Sequence, residues 1–253
     1  MKISTGQFSI VIISKNEAKV IGETLRACKE LTDDILLVDS FSTDETVAIA
    51  KSYGARVISK KWLGYSATKN FGNQQAKYDW ILSLDADEVL DANVIEALQQ
   101  ITLQKGHVYY FNRLNYYCGI PVKHSGWFPQ WIPRIFHREE HQWDNSLVHE
   151  KLLNLPKSNA IKLPGLMHHY SYFTEDQHLE KLDKYAKYRA EEWIERGKKP
   201  NLLKRVFGPG VRFFRNYIWM RGFLDGHVGY KIAKNEAKMV ASQFIWYDKL
   251  TAK

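Results

Sequence analysis

The stretch SIVIISKNEAKVIGETL, residues 9–25, decides the fold. Residues 9–13 are apolar and rich in β-branched side chains, which is typical of a strand buried on both faces of a parallel sheet. Residues 14–17 (SKNE) then have the spacing of a capping box, and apolar residues follow from Val20 at helical intervals. The stretch therefore predicts a strand, a turn and a helix.

The same pattern repeats along the chain. Residues 35–38 form a second apolar run, and residues 42–45 (STDE) have the sequence of a helix start. Residues 56–59 and 80–84 are further predicted strands, with a predicted helix at residues 67–76 between them. This alternation predicts an α/β fold with a doubly wound, mostly parallel sheet.

Polar residues follow three of the predicted strands: residues 14–17, 39–44 and 85–87. In open α/β sheets, ligands bind beyond the carboxyl ends of the strands. We therefore expect these residues to converge on one crevice.

Asp85-Ala86-Asp87 is a DxD motif at the end of the fourth predicted strand. Two carboxylates in this position can hold a divalent cation and, through it, a diphosphate. The alternative is an acidic turn that caps the helix near Asp91. The position after a buried strand favours the functional interpretation.

Asp39 ends the second predicted strand and is followed by small hydroxylated residues. This arrangement suits hydrogen bonds to a base or a ribose. The alternative is an Asx-type turn that leads into the next helix.

The charge of the chain is concentrated in one segment. The 253 residues carry a net charge of +8, and residues 196–224 contain eight Lys or Arg residues and no acid. The remaining basic and acidic residues balance. The segment also contains many aromatic residues, so it predicts contact with an anionic membrane surface, or otherwise a helix with a solvated basic face.

The cysteines and the apolar runs bear on the compartment. Cys28 and Cys118 belong to no CxxC pair, which favours a reduced compartment and gives no zinc site. The apolar run at residues 8–13 is too short for a signal peptide, and nothing reaches the roughly 20 apolar residues of a membrane span. We expect a cytoplasmic protein, peripheral on the inner membrane.

The chain resembles the inverting family 2 glycosyltransferases with the GT-A nucleotide-diphospho-sugar fold. The resemblance lies in residues 9–25, 35–57 and 64–88, and more loosely in residues 133–152. Two later segments, HHYSYFTEDQHLEKLDKYAKYRAEEW and RGFLDGHVGY, are similar to the branch that contains lipopolysaccharide inner-core β-glucosyltransferases. The resemblance implies transfer of a hexose, with glucose expected, from a UDP-sugar to a glycan or lipid-linked acceptor.

The resemblance also implies roles for individual residues. It places Ser14 and Glu17 near the nucleoside, Asp39 on the uracil or ribose, Lys69 near the base or diphosphate, Asp85 on the ribose or metal side, and Asp87 on Mg²⁺ or Mn²⁺. The cation would neutralise the leaving diphosphate.

An inverting displacement needs a base that takes the proton of the acceptor hydroxyl. The Glu-Asp pair that the family often carries is absent from the expected region after the DxD motif, which contains Val148-His149-Glu150 instead. Glu150 is the predicted base, with Asp144 and Glu140 as rivals and a structural salt bridge as the alternative. His149 beside it is interpreted as a core or supporting histidine. Arg134 is interpreted as a phosphate ligand or a brace for a loop.

His168 and His169 are adjacent, and adjacent residues of a strand point to opposite faces, so the sequence does not favour an ion shared by both.

The predicted domains are a GT-A catalytic domain at residues 1–172, with halves at 1–105 and 106–172, and a helical region at residues 173–253. The helical region contains three predicted helices, and the second is interrupted at its Gly-Pro-Gly sequence. They span residues 175–193, 201–221 and 229–247.

Three other functions were weighed. A dinucleotide-binding dehydrogenase needs a glycine-rich first turn, which residues 14–17 lack. A nucleotidyltransferase needs a glycine-rich, basic phosphate loop after the first strand, which is also missing. A non-catalytic module that binds nucleic acid through residues 196–224 stays open on composition, although the polar strand ends disfavour it and no nucleic acid is expected.

Overall fold

The computed structural model describes residues 7–146, 150–155 and 158–252. The strands are β1 Ser9–Ser14, β2 Ile35–Asp39, β3 Arg56–Ser59, β4 Trp80–Asp85, β5 Glu88–Leu90, β6 Val108–Tyr117, β7 Ile120–Pro121, β8 Gln130–His137, β9 Ala160–Lys162 and β10 Met167–Tyr172. The helices are α1 Ile21–Cys28, α2 Thr46–Ser52, α3 Tyr65–Gln75, α4 Ala92–Gln100, α5 Glu175–Glu195, α6 Leu202–Phe214 and α7 Gly226–Thr251. A π-helical turn, Arg215–Trp219, and a 3₁₀ turn, Gly222–Asp225, connect α6 to α7.

The strands form one sheet in the order β3-β2-β1-β4-β8-β6-β10-β5, with β7 and β9 paired to β6. Strands β1 to β4 are parallel to one another. Strand β8 is antiparallel to both β4 and β6, and β10 is antiparallel to β5. The predicted α/β fold is confirmed, and its four predicted strands form the parallel part of the sheet.

Helices cover both faces of the parallel strands because successive side chains of a strand point to opposite faces. Ile10 and Ile12 belong to a core cluster that contains the buried residues of α1 and α4. Val11 and Ile13 belong to a second cluster on the α3 side. The sheet is therefore doubly wound, as the alternation of runs and helix starts predicts.

The predicted capping box at residues 14–17 is wrong. Helix α1 begins later, at Ile21, and its N-cap residue Val20 makes no side-chain capping bond. The hydroxyl of Ser14 instead donates to Asp39 Oδ1 at 3.1 Å. The turn residues after β1 are engaged by the turn after β2, so they are not available to cap α1.

The predicted interruption of the second C-terminal helix is also wrong. Helix α6 continues through Pro209. An internal proline removes one hydrogen bond of the helix, but α6 packs closely on α7: a Cβ on Gly208 would lie 3.2 Å from Val240 Cγ1. Tertiary packing outweighs the local preference, and the irregular backbone appears later, in the π-helical turn.

The chain divides into two compact units, Met1–Arg113 with Gln130–His169, and Leu114–Pro129 with Tyr170–Lys253. The first contains the parallel strands, and the second contains α5, α6 and α7. The domain boundary at residue 172 stays a prediction. Within the described residues, no helix combines the length and apolar character needed to cross a bilayer.

Candidate functional site

Three strand ends that carry polar residues lie side by side. The register of β1 and β2 pairs Ser14 with Asp39, and the register of β1 and β4 pairs Ile13 with Asp85. The carboxyl ends of three neighbouring parallel strands therefore meet at one edge, as the sequence predicts.

The turns that follow β1 and β2 are hydrogen-bonded to each other. The backbone N–H of Asn16 donates to Ser42 Oγ at 2.8 Å, and the N–H of Thr43 donates to Asn16 Oδ1 at 2.8 Å. The N–H of Glu17 donates to Thr46 Oγ1, also at 2.8 Å. Asn16 has a φ of 58°, a left-handed conformation that asparagine tolerates well. These bonds fix the loop that carries Glu17 against the second strand end.

Asp39 is buried and accepts hydrogen bonds from its own turn. Its Oδ1 accepts from Ser14 Oγ at 3.1 Å and from Ser42 Oγ at 2.5 Å, and its Oδ2 accepts from the Ser42 N–H at 2.9 Å. The two bonds from Ser42 are those of an Asx-type turn, and the bond from Ser14 ties Asp39 to the end of β1. A nucleoside contact would have to be made in addition to them, and the role of Asp39 stays a prediction.

The first aspartate of the DxD motif lies between two buried cations. Lys69 Nζ is 2.9 Å from Asp85 Oδ1, and Arg134 Nη2 is 3.2 Å from Asp85 Oδ2. Burial alone would raise the pKa of Asp85, but the charges of Lys69 and Arg134 outweigh it and hold the pKa far below its usual range. The two cations therefore favour the ionised form of Asp85.

Glu88 completes this network from within the sheet. It is fully buried, its carboxylate pairs with Arg134 and, at 3.3 Å, with Arg113, and its Oε2 accepts from the Asp85 N–H at 3.1 Å. Burial alone would lower the pKa of Arg134, but Glu88 and Asp85 raise it on balance. Arg134 thus braces the DxD motif, and no local sequence pattern identifies Glu88 as its partner.

Lys69 also links the DxD motif to the predicted base. Its fully buried Nζ lies 2.7 Å from Glu150 Oε1, and 4.9 Å from the centre of the Trp143 ring. One ammonium therefore bridges Asp85 and Glu150. The ion pair that the sequence leaves as the alternative for Glu150 is present. His149, the neighbouring candidate, lies outside the described residues.

The loop that carries Glu150 is clamped to α3. Asn70 Nδ2 donates to the Trp143 carbonyl at 2.9 Å, and the Trp143 N–H donates to Asn70 Oδ1 at 2.9 Å. Ser66 Oγ donates to Asp144 Oδ1 at 3.0 Å. Lys69 belongs to the same helix as Ser66 and Asn70, so these contacts keep Glu150 close to Lys69.

The two rival carboxylates have structural contacts. Asp144 accepts from Ser146 Oγ at 2.6 Å and from the N–H of Lys151 at 3.3 Å. These hydrogen bonds overcome the effect of burial and lower its pKa. Glu140 accepts from the Gly106 N–H at 2.8 Å.

The second aspartate of the DxD motif has a histidine partner. Strand β10 pairs with β5 so that His169 lies opposite Glu88, and His169 Nε2 is 3.3 Å from Asp87 Oδ2. From the sequence, His169 is a candidate ligand only as one of an adjacent pair with His168. The strand pairing that brings it to Asp87 spans more than 80 residues of sequence, which no local pattern reveals.

Asp87 and His169 are the pair in this cluster that could hold a divalent cation. Mg²⁺ and Mn²⁺ prefer oxygen ligands such as the Asp87 carboxylate and complete their shell with phosphate oxygens and water, whereas the His169 imidazole would supply a nitrogen ligand. Within the described ranges no group of three or more His, Cys, Asp or Glu residues could hold a metal by itself. Any cation held by this pair would need its remaining ligands from water or from a bound molecule.

Comparisons with known proteins identify the family of the chain. The model of the family described as Glycosyl transferase family 2 matches residues 9–152. An uncharacterized glycosyltransferase of Rickettsia bellii (strain RML369-C) is 30% identical over 246 residues, which cover 90% of this chain and 82% of that protein. A lipopolysaccharide core biosynthesis glycosyltransferase, LpsC, of Rhizobium meliloti (strain 1021) is 30% identical over 245 residues, 87% of each chain.

Among solved structures, glucosyl-3-phosphoglycerate synthase from Mycobacterium tuberculosis, in complex with Mn²⁺, UDP and glucosyl-3-phosphoglycerate, is 19% identical and covers 44% of each chain with a TM-score of 0.37. At that TM-score the similarity supports no inference about this chain.

Proposed function

The chain belongs to glycosyl transferase family 2, and we propose on that premise that it transfers a hexose, with glucose expected, from a UDP-sugar to a glycan or lipid-linked acceptor with inversion. The observation that carries the proposal is the cluster at the strand ends, where Asp87 meets His169 and Lys69 joins Asp85 to Glu150. Family membership makes the chain a glycosyltransferase, so the dehydrogenase, nucleotidyltransferase and non-catalytic interpretations are not retained.

Asp87 and His169 are the residues that would hold Mg²⁺ or Mn²⁺. The cation, when bound, supplies positive charge to the leaving diphosphate. Asp85 is held in place by Lys69 and Arg134 and is proposed to face the ribose or the metal. Lys69 is proposed to lie near the base or the diphosphate, where its charge adds to the electrostatic stabilisation.

The nucleoside is proposed to bind across the ends of β1 and β2, near Ser14, Glu17 and Asp39. The support is their placement: the register sets Ser14 beside Asp39, and the loop with Glu17 is tied to the same edge. Buried, prearranged hydrogen-bonding groups of this kind give orientation and specificity to a nucleoside.

Glu150 is proposed as the base. In an inverting displacement the acceptor oxygen forms its bond to the anomeric carbon as the bond to the diphosphate oxygen breaks, and the acceptor proton passes to the Glu150 carboxylate. Glu150 is favoured over Asp144 and Glu140 because their carboxylates accept hydrogen bonds from nearby backbone N–H groups, whereas Glu150 pairs with a lysine that contacts the DxD motif.

The acceptor is proposed to be a precursor of lipopolysaccharide core or of another envelope polysaccharide, presented at the cytoplasmic face of the inner membrane. The support is the relative named for lipopolysaccharide core biosynthesis, which covers 87% of this chain. The enzyme would then act as a peripheral protein at an anionic surface.

A thermal-shift panel tests the donor and the metal. UDP-glucose with Mn²⁺ should raise the melting temperature more than UDP-glucose alone, because a ligand that binds only the native state stabilises it in proportion to the logarithm of its concentration over Kd. Asp87→Asn and His169→Ala should each raise the Mn²⁺ concentration at the midpoint of the thermal shift about tenfold or more.

His168→Ala is the matched control, one residue along the same strand. It should leave the Mn²⁺ midpoint unchanged. An Mn²⁺ effect that survives Asp87→Asn would contradict the metal site, and slow release of UDP from UDP-glucose provides a second readout.

A further inference from the structure

Helix α6 and the π-helical turn after it expose a row of apolar side chains. None of the α6 residues is buried, although most of them are apolar. Phe214 is 66% exposed and Trp219 is 85% exposed. The row, called here the apolar stripe, consists of Leu203, Val206, Phe207, Val211, Phe214, Ile218 and Trp219. In α6 these positions recur at intervals of three and four residues, so they share one face.

The opposite face of α6 is fixed to α7. Arg205 pairs with Asp248, and Arg212 Nη1 lies 3.5 Å from Glu236 Oε2. Asn216 Nδ2, in the π-helical turn, donates to Glu236 Oε2 at 2.7 Å. These polar contacts with α7 set the orientation of α6, and they hold the apolar stripe on the face of α6 that points away from α7.

The apolar stripe borders a groove of about 950 Å³. Phe207, Val211, Phe214 and Trp219 are among the residues that line it. An apolar surface of this extent on a described helix face marks an interaction site.

The cations around the apolar stripe divide into two groups. Arg205 and Arg212 are neutralised by acids of α7. Lys204, Arg215 and Arg221 make no ion pair with any residue that the structure describes. At 100° per residue, Lys204 and Arg215 lie along one edge of the apolar stripe. No acidic residue occurs between positions 196 and 224.

We infer that the apolar stripe inserts into the headgroup region of an anionic bilayer, with Lys204, Arg215 and Arg221 on the lipid phosphates. An exposed apolar face flanked by unpaired cations is the pattern of an interfacial helix. A second copy of the chain fits less well, because two stripes face to face would bring the same cations together. The inference deepens the proposed function by naming the surface that holds the enzyme at its acceptor.

Vesicle co-sedimentation tests the apolar stripe. Vesicles of phosphatidylcholine and phosphatidylglycerol in equal parts should bind the wild type, and Phe214→Ser with Trp219→Ser should weaken binding at least tenfold, because each aromatic side chain loses its burial in the interface. Tyr188→Ser with Ile194→Ser, two exposed positions on α5, is the matched control and should bind like the wild type.

A second pair of variants tests the cations. Lys204→Gln with Arg215→Gln should weaken binding to the anionic vesicles about fivefold per cation removed, and binding of the wild type should fall as salt rises. Lys29→Gln with Lys51→Gln removes the same charge from exposed positions of the other unit and should have little effect.

The inference is overturned if the wild type binds neither anionic nor phosphatidylcholine vesicles, or if the serine pair at positions 214 and 219 binds as well as the wild type. It is also overturned if the wild type forms a dimer that the same pair abolishes, since the occupant is then a second copy. The UDP-glucose and Mn²⁺ thermal shift is measured on the wild type and on every variant. Absence of the shift in the wild type would contradict the proposed function. A wild type that shows the shift but does not bind vesicles would contradict only the docking surface.

Discussion

At the scale of single residues, Glu150 and Asp144 belong to one loop but have different contacts. Glu150→Gln keeps the shape and removes the basicity, so kcat should fall about 10²-fold or more while the UDP-glucose and Mn²⁺ thermal shift persists. Steady-state kinetics on both substrates measures it. Asp144→Asn is the matched control. It disturbs a turn, so it should lower the melting temperature and have a smaller effect on kcat than Glu150→Gln. A full rate in Glu150→Gln would assign the base elsewhere.

Arg134 carries a second prediction at this scale. Arg134→Met leaves the fully buried Glu88 with Arg113 as its remaining cationic partner in the network. Removing one partner of a buried ion pair costs about 3–5 kcal/mol of unfolding free energy, which urea denaturation would measure. Lys77→Met breaks the exposed pair with Asp33 and should change stability little. Equal effects of the two substitutions would show that the buried network is unimportant.

The residues that the sequence could not predict are those brought in by distant strands. The DxD motif is visible because it directly follows an apolar run. Its partners His169 and Arg134 come from β10 and β8, which reach it only through the pairing of strands far apart in sequence. Local sequence patterns contain no signal for such pairings.

At the scale of elements, α3 depends on a glycine that faces the sheet. A Cβ on Gly72 would lie 2.6 Å from Val11 Cγ1 and 2.9 Å from Val38 Cγ2. Gly72→Ala should therefore destabilise the protein by about 1–3 kcal/mol through overpacking. In Gly22→Ala, on α1, the new Cβ meets Ile49 Cγ2 at an ordinary 3.6 Å, so stability should stay equal or rise by about 0.5–1 kcal/mol. Urea denaturation of both variants compares them, and a stable Gly72→Ala would contradict the close packing.

The ends of an element were predictable where the local sequence pattern alone determines them. The strands β1 to β4 lie within one residue of their predicted ends, because each is a short apolar run bounded by polar or turn-forming residues. The start of α1 and the continuity of α6 were predicted wrongly. In both places a tertiary contact, the Ser14 bond to Asp39 and the packing of α6 on α7, overrides a local preference.

At the scale of the whole molecule, the GT-A fold implied by the resemblance is confirmed. The parallel half of the sheet follows from local patterns, whereas the order of β8, β6, β10 and β5 depends on pairings between distant segments. Composition gave the charge asymmetry, but it could not separate the cations that pair with α7 from those that stay unpaired.

The loss of unfolding free energy at low pH is a prediction for the whole chain. Asp34 is buried, and although burial raises its pKa, hydrogen bonds from Ser9 Oγ and the Lys77 N–H and the pair with Arg56 lower it on balance. The pKa of Asp85 is lowered as well. A carboxyl with a lowered native pKa contributes stability above its unfolded pKa and loses it as the pH falls. The unfolding free energy should therefore drop steeply below about pH 4, as urea titrations at a series of pH values would show.

His178 adds a separate loss of stability as the pH falls, in a range above that of the carboxylates. Its ring is buried among Tyr117, Trp127 and Tyr172, and neither ring nitrogen has a hydrogen-bond partner among the described residues. Burial lowers its pKa from 6.5 to about 4, while the nearby charges of Glu175 and Lys181 act in opposite directions. Between these values the unfolded chain binds a proton that the native ring does not.

The unfolding free energy should therefore be constant above about pH 6.5 as far as His178 is concerned, and fall by at most about 3 kcal/mol between pH 6.5 and pH 4. His178→Phe keeps an aromatic ring and removes the titration, so it should flatten this range and leave the steep loss below pH 4 intact. Urea midpoints for both proteins at pH 7, 5.5 and 4.5 would measure the difference, about 1–3 kcal/mol at the lower two values. If the two proteins lose stability in parallel from pH 7 to pH 4.5, His178 is not the group that titrates.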